Sequence, residues 1–245
     1  MSNSHIVRIG HITPSSNIML EPLTYQMNES LTGRVTHHFT RIPVFHIALS
    51  ESTEAQFRME PMLAAAQFLA DAPLDAIVWN GTSASWRGIE FDQTLIAAIT
   101  QETGLPASTS TIAFYNAFRD FGITSVGLAL PYNTDISSQI VAEYSRQGFH
   151  ITGNASLELS VNREIGALEP DAIRNILRLA AIGSPDCIAV VCTNLNATEL
   201  IVEMEEELGI MIIDSIAVTF REGLRIAGVE PNVPGWGRML AARRF

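Results

Sequence analysis

The most chemically suggestive feature of the chain is a cysteine at the end of a short apolar run. In Asp186–Asn196 (DCIAVVCTNLN) the segment Ile188–Val191 leads into Cys192, and polar residues follow at once. This pattern predicts a buried parallel strand that sets a thiol at the mouth of a strand-to-helix loop, just before a helix N-terminus. Open parallel α/β sheets bind ligands outside the carboxyl ends of their strands. Backbone N–H groups and a helix dipole there favour the thiolate. The competing expectation is a small buried hydrophobe, the usual fate of a free cysteine.

The same layout occurs earlier in the chain. Asp75-Ala76-Ile77-Val78-Trp79-Asn80-Gly81-Thr82 aligns with Asp186-Cys187-Ile188-Ala189-Val190-Val191-Cys192-Thr193, and in both the aspartate precedes the loop residue by six positions. Ile9–Pro14 aligns in the same way with Val126–Pro131, and Gly104-Leu105 with Gly209-Ile210. An internal duplication follows: two similar lobes with the cleft between them. Gly81 then stands where Cys192 stands in the other half. Epimerisation at carbon needs a proton acceptor on one face and a donor on the other, and only one face here carries a thiol. The expected chemistry is therefore one-sided, with Cys192 delivering a proton to a carbanion or enediolate. On this reading Gly81→Cys restores the second face and with it some racemase activity.

Neutral hydrogen-bond donors cluster at the matching strand ends. Thr82 and Ser83 follow Gly81; Ser15, Ser16 and Asn17 follow Pro14; Asn133 and Thr134 follow Tyr132; Thr193 and Asn194 follow Cys192. Such groups suit a carboxylate or an oxyanion, although ordinary N-capping explains any one of them. Trp79, Trp86, Phe114 and Tyr115 are either pocket-lining or core. His37-His38 lacks spaced partners and reads as a solvated loop or strand edge. Glu203, Glu205, Glu206 and Glu207 read as the solvated face of a helix.

Strands and helices alternate along the whole chain. Strands are expected near Val7–Thr13, Val35–Thr40, Leu74–Trp79, Pro106–Ser110, Ser125–Leu130, Phe149–Asn154, Asp186–Val191 and Ile210–Ile213. Helices are expected between them, including Glu54–Asp71 with a kink or break at Pro61, and Pro131–Thr134 reads as a polar loop. The fold class is α/β, with two pseudo-symmetric Rossmann-like lobes, each a mainly parallel sheet flanked by helices. Residues 1–122 with 228–245 are assigned to the first lobe and 123–227 to the second.

Bulk composition agrees with an enzyme of small molecules. With 245 residues, 47% of them hydrophobic, the chain can bury a large core. Its net charge of −11 argues against nucleic-acid and anionic-membrane partners. The first residues lack a signal-peptide layout, and no apolar run is long enough to span a bilayer. Two cysteines five positions apart on one strand do not suit a disulfide, so a reducing cytoplasm is expected. No metal, nucleotide or dinucleotide motif is present, and no cofactor is implied.

At these residues the sequence resembles the aspartate/glutamate racemase superfamily, in its maleate isomerase and arylmalonate decarboxylase branch. Pro14-Ser15-Ser16-Asn17 with Glu21, Pro131-Tyr132, Cys192 and the ending Glu230–Gly235 resemble maleate isomerases. Gly81–Gly88 (GTSASWRG) and Thr103-Gly104-Leu105-Pro106 resemble arylmalonate decarboxylase, which has glycine in place of the first cysteine. The resemblance implies that Thr82, Ser83 and Tyr132 hold an enediolate and that Cys192 protonates it. It further implies that Pro14, Ser15, Asn17, Asn133, Thr193 and Asn194 help to bind a small carboxylate or dicarboxylate, and that subunits pair into a homo-oligomer through apolar helix faces. Two positions depart from the decarboxylase pattern: Asn17 replaces a small apolar residue, and Thr193-Asn194 replaces glycines. Ectoine-utilisation proteins are a further relative of this type. The expected function is cofactor-independent decarboxylation of a malonate-like diacid. The alternatives are an isomerase or racemase of a small carboxylic acid and a non-catalytic dicarboxylate binder.

Overall fold

The computed structural model describes residues 6–49 and 55–241. The first half runs β1 (Val7–Pro14), α1 (Leu20–Met27), β2 (Val35–Ile42), α2 (Met59–Ala70), β3 (Ala76–Trp79), α3 (Ala84–Arg87), α4 (Ile89–Thr103), β4 (Ala107–Thr109) and α5 (Ser110–Asp120). The second runs β5 (Ser125–Tyr132), α6 (Thr134–Arg146), β6 (His150–Leu159), α7 (Asn162–Gly166), α8 (Pro170–Ala180), β7 (Cys187–Val190), α9 (Ile201–Leu208), β8 (Met211–Asp214), α10 (Ser215–Ile226) and α11 (Arg238–Ala241).

The strands form two four-stranded sheets in the orders β2-β1-β3-β4 and β6-β5-β7-β8, with every pairing parallel. The two orders are the same arrangement used twice. The duplicated aspartates do matching work: Asp75 Oδ2 accepts the backbone N–H of Arg8 at 2.8 Å, and Asp186 Oδ2 accepts that of Ser125 at 2.8 Å. Each ties the start of its sheet's second inner strand to the start of the first. The backbone N–H of Thr124, at 2.9 Å, and that of Ser125 hold the exposed Asp186 carboxyl down to about 2. The repeated glycines are steric. A Cβ on Gly10 would lie 2.7 Å from Leu74 Cδ1, and one on Gly127 would lie 2.0 Å from the carbonyl oxygen of Ala180.

Contacts cross the expected lobe boundary. Helix α10, late in the second half, packs on α5 and on the first sheet: Glu222 accepts from Ser108 Oγ at 2.9 Å, and Arg221 pairs with Asp120 at 2.9 Å. The tail, expected with the first lobe, lies against the second over its described residues. There Arg238 donates its backbone N–H to Glu205 at 2.8 Å and an Nη1–H to the carbonyl of Gly209 at 3.1 Å.

Several local expectations change. Pro61 is the third residue of α2 and neither kinks nor breaks it; the missing N–H falls in the first turn, where donors have no helical acceptor anyway. Glu54, the expected start of that helix, lies outside the described residues. The strand at 125 continues through Pro131 to Tyr132, so Tyr132 is a strand end and not a loop residue. Glu205 is buried, unlike the solvated residue expected, and its carboxylate accepts the N–H groups of Ile212 and Arg238. Its neighbours Glu203 and Glu207 do lie outside, paired with Arg174 and Arg178. His37 is also buried, in a chain that runs from Asn80 through His11 Nδ1, then His11 Nε2 to His37 Nδ1 at 2.8 Å, then His37 Nε2 to Asn28 Oδ1 at 3.2 Å.

Candidate active site

The carboxyl ends of β1, β3, β5 and β7 converge on one cavity between the sheets. Pro14, Gly81, Thr82, Ser83, Tyr132, Cys192 and Thr193 all line it. Gly81 lies two residues past β3 and Cys192 two residues past β7, so the glycine and the thiol occupy equivalent strand ends. Across the cleft the Tyr132 hydroxyl is 3.3 Å from Thr82 Oγ1, and it also hydrogen-bonds to Cys192.

Burial pushes the Cys192 thiol above its ordinary range. Hydrogen bonds from Tyr132 and from the backbone N–H groups of Asn194 and Leu195 oppose this without reversing it. The expected thiolate is thus corrected to a protonated thiol. Cys192 is followed by a turn, and helical structure resumes only at Thr198; no helix dipole acts on the sulfur at close range. Burial and the adjacent Cys192 likewise hold the Tyr132 phenol well above its usual range, so it stays a donor.

Four expected site residues do not line the cavity. Asn17 Nδ2 donates to the Thr193 carbonyl at 2.7 Å, while its Oδ1 accepts the N–H groups of Met19 and Leu20 at the start of α1. The Asn194 side chain accepts the Ile18 N–H at 3.0 Å and donates to the Asn162 carbonyl at 2.7 Å. Ser15 Oγ accepts the Val44 N–H at 3.4 Å, and Asn133 caps α6 through the Ile136 N–H at 3.0 Å. Asn17 and Asn194 instead fasten the thiol-bearing turn to the opposite lobe. Thr193 adds to this by donating its hydroxyl to the Asn80 carbonyl at 3.1 Å.

A cover over the cavity escaped the sequence reading. Val44, Ile47, Phe57 and Asn162 line it from above. Ile47 donates its N–H to the Ser160 carbonyl at 2.8 Å and Asn162 donates to that of Phe45 at 3.0 Å, so the two halves meet in a short antiparallel bridge. Val44 and Ile47 lie in a loop, Phe57 ends a single 3-10 turn and Asn162 starts the one-turn α7, and none of these is long enough to show a period in the sequence. Under this cover the free space is about 20 Å³, enough for one water.

Of the four aromatic residues weighed as lining or core, Trp79 and Trp86 line the cavity; Phe114 and Tyr115 are core. The Trp79 ring lies across Gly81, where an added Cβ would fall 2.2 Å from both Cε2 and Cζ2. A side chain at 81 therefore needs the Trp79 ring to yield before a thiol can stand there.

The architecture defines a class: two-lobed, pseudo-symmetric α/β proteins with a site between the lobes. The family model for arylmalonate decarboxylase matches residues 46–240, and the chain belongs to that family. Over 249 residues it is 25% identical to the maleate isomerase of Geobacillus stearothermophilus, covering 96% of this chain and 98% of the relative. It is 29% identical over 163 residues to the arylmalonate decarboxylase of Bordetella bronchiseptica, covering 65% and 68%. Among solved structures, the maleate isomerase Iso from Pseudomonas putida S16 matches with a TM-score of 0.88 at 22% identity, covering 97% and 99% of the chains. A mutant of arylmalonate decarboxylase in its liganded form matches with a TM-score of 0.84 at 23% identity, covering 95% and 98%. Both share the fold.

Proposed function

We propose that the protein is a cofactor-independent decarboxylase of a malonate-like diacid. One observation carries the reading: a single protonated thiol, Cys192, faces the cavity opposite a glycine, with Thr82 and Tyr132 hydroxyls beside it. Loss of carbon dioxide leaves the electron pair of the broken C–C bond on the substrate as an enediolate. Thr82, Ser83 and Tyr132 donate hydrogen bonds to its oxygens, which strengthen as charge develops there. Cys192 then transfers its proton to carbon, forming the new C–H bond, and the thiolate recovers a proton from water. A buried thiol with a raised pKa is loaded with its proton at neutral pH, as this step requires.

The test uses wild-type protein with a panel of substituted malonates, following carbon dioxide release and deuterium incorporation from heavy water. One deuterium per turnover is expected, with turnover abolished in Cys192→Ala. Full rate in Cys192→Ala on a confirmed substrate sinks the mechanism. The second reading is isomerisation of a small carboxylic acid, favoured by the relatives named maleate isomerase that align over 96% of the chain. Under that reading deuterium enters, or geometry changes, without carbon dioxide release.

A further inference from the structure

The cavity wall holds hydrogen-bond donors that nothing among the described residues satisfies. Trp79 Nε1, Trp86 Nε1 and Ser83 Oγ are all buried without a partner, and all three residues line this one cavity. Buried polar groups are nearly always paired, so three orphans around one space are satisfied by what enters it: a water in the space as it stands, or a ligand that displaces that water. Trp79 is the informative member. Its side chain is fully buried, and Nε1 lies 2.6 Å from where a Cβ on Gly81 would stand. The indole N–H thus occupies the position at which the other lobe presents the Cys192 side chain. Indole nitrogen only donates, so its partner must be an acceptor.

We infer that Trp79 is a substrate-binding residue whose N–H takes a carboxylate oxygen of the ligand, and that Gly81 is required to make room for its ring. This rests on the cleft being a carboxylate site, as proposed above, but not on decarboxylation. It also narrows the ligand class. The described lining has neutral donors and no aspartate, glutamate, lysine or arginine. Among the described lining residues an α-ammonium group would find no carboxylate to pair with, so the ligand they fit is a small dicarboxylate without an amino group.

The experiment reads the indole N–H resonances of the three tryptophans in nitrogen-15-labelled Cys192→Ala protein, which cannot turn substrate over. Methylmalonate, maleate, aspartate and a neutral diamide are added in turn. The Trp79 resonance is assigned by its loss in Trp79→Phe, or by elimination with Trp86→Phe and Trp236→Phe if that variant does not fold. The expected result is a downfield shift of Trp79 with the diacids and none with the diamide or aspartate. Where Trp79→Phe folds, it should bind the diacids about ten- to a hundredfold more weakly. A Trp79 resonance unmoved at saturating diacid, or no diacid bound at all, overturns the inference. Because nothing here depends on turnover, a shift of Trp79 in a protein that releases no carbon dioxide keeps this inference and removes only the decarboxylase.

Discussion

At the scale of single residues, the site turns on how Tyr132 and Cys192 share a hydrogen bond. That bond lowers the thiol's pKa against the larger upward push of burial. Replacing Tyr132 by Phe removes it, and with it the one O–H that can turn from the sulfur to the developing enediolate. A lost oxyanion donor costs about 2.7–4 kcal/mol, or roughly a hundred- to a thousandfold in kcat, and Tyr132→Phe is expected to fall in that range. The sign of the pH effect is separate. Turnover requires the protonated thiol, so activity falls as pH rises through its pKa, and without Tyr132 that limb moves to higher pH. A kcat profile measured from neutral to alkaline pH checks both; an unmoved alkaline limb would separate Tyr132 from Cys192. The places of Cys192, Gly81 and Thr82 on the cavity were legible because an apolar run that ends in polar residues marks a strand's carboxyl end; Tyr132, read as a loop residue, was singled out by the family resemblance. The use of Asn17 was not, because an asparagine after a strand looks the same whether its amide meets a ligand or Thr193.

At the scale of elements, the turn after β3 is built around a ring and a missing side chain. A Cβ at 81 would lie 2.2 Å from two atoms of the Trp79 indole, which is itself enclosed. Overpacking of this kind costs typically 1–3 kcal/mol, so Gly81→Cys is expected to lower the unfolding temperature by several degrees. Trp79→Val in the same chain clears the ring and should recover much of the loss, since the two changes act on one space and are not additive. Thermal unfolding of the two single variants and the double variant decides it; equal losses with and without Trp79→Val would mean that the ring is not the obstacle. The same region shows what local pattern conceals. Helix α4, which Gly104 closes in the left-handed conformation, followed from the alternation of strands and helices along the chain. The four residues of α3 and the five of α7 did not, because about one turn is too short to show a period. Nor did the sequence distinguish Glu205 from Glu203 and Glu207: all lie on an acidic helix, and only the approach of β8 and Arg238 buries one of them.

At the scale of the whole molecule, the duplication was the most legible feature, since repeated aspartates and glycines recur at matching places in the two sheets. The placement of α10 on the first sheet was not, because an amphipathic pattern says that a face is buried and not against what. The folded molecule also carries two opposed sets of buried titratable groups. Burial lowers His11 well below its usual value and His37 to about 4. Their contribution to stability is present above the unfolded histidine pKa of about 6.5 and is lost as pH falls towards about 4. Burial raises Asp92, hydrogen-bonded to Thr109, to about 7, and Asp214, which caps α10, to about 6. Their contribution is present below the unfolded aspartate pKa of about 3.9 and is lost as pH rises through 6 and 7. Between pH 4 and 7 the two sets therefore act with opposite slopes, and the unfolding temperature of the wild type should vary less than either set alone would cause. His37→Gln keeps a hydrogen-bonding side chain but cannot be protonated. Whatever its absolute stability, its unfolding temperature should rise relative to wild type as pH falls from 6.5 to 4. Asp92→Asn removes its share of the opposing slope, leaving that of Asp214, and should make the acid-side decline steeper than in wild type. Calorimetric scans of the three proteins at pH 4, 5, 6 and 7 test the signs directly, and parallel curves would show that neither group changes protonation on unfolding in this window.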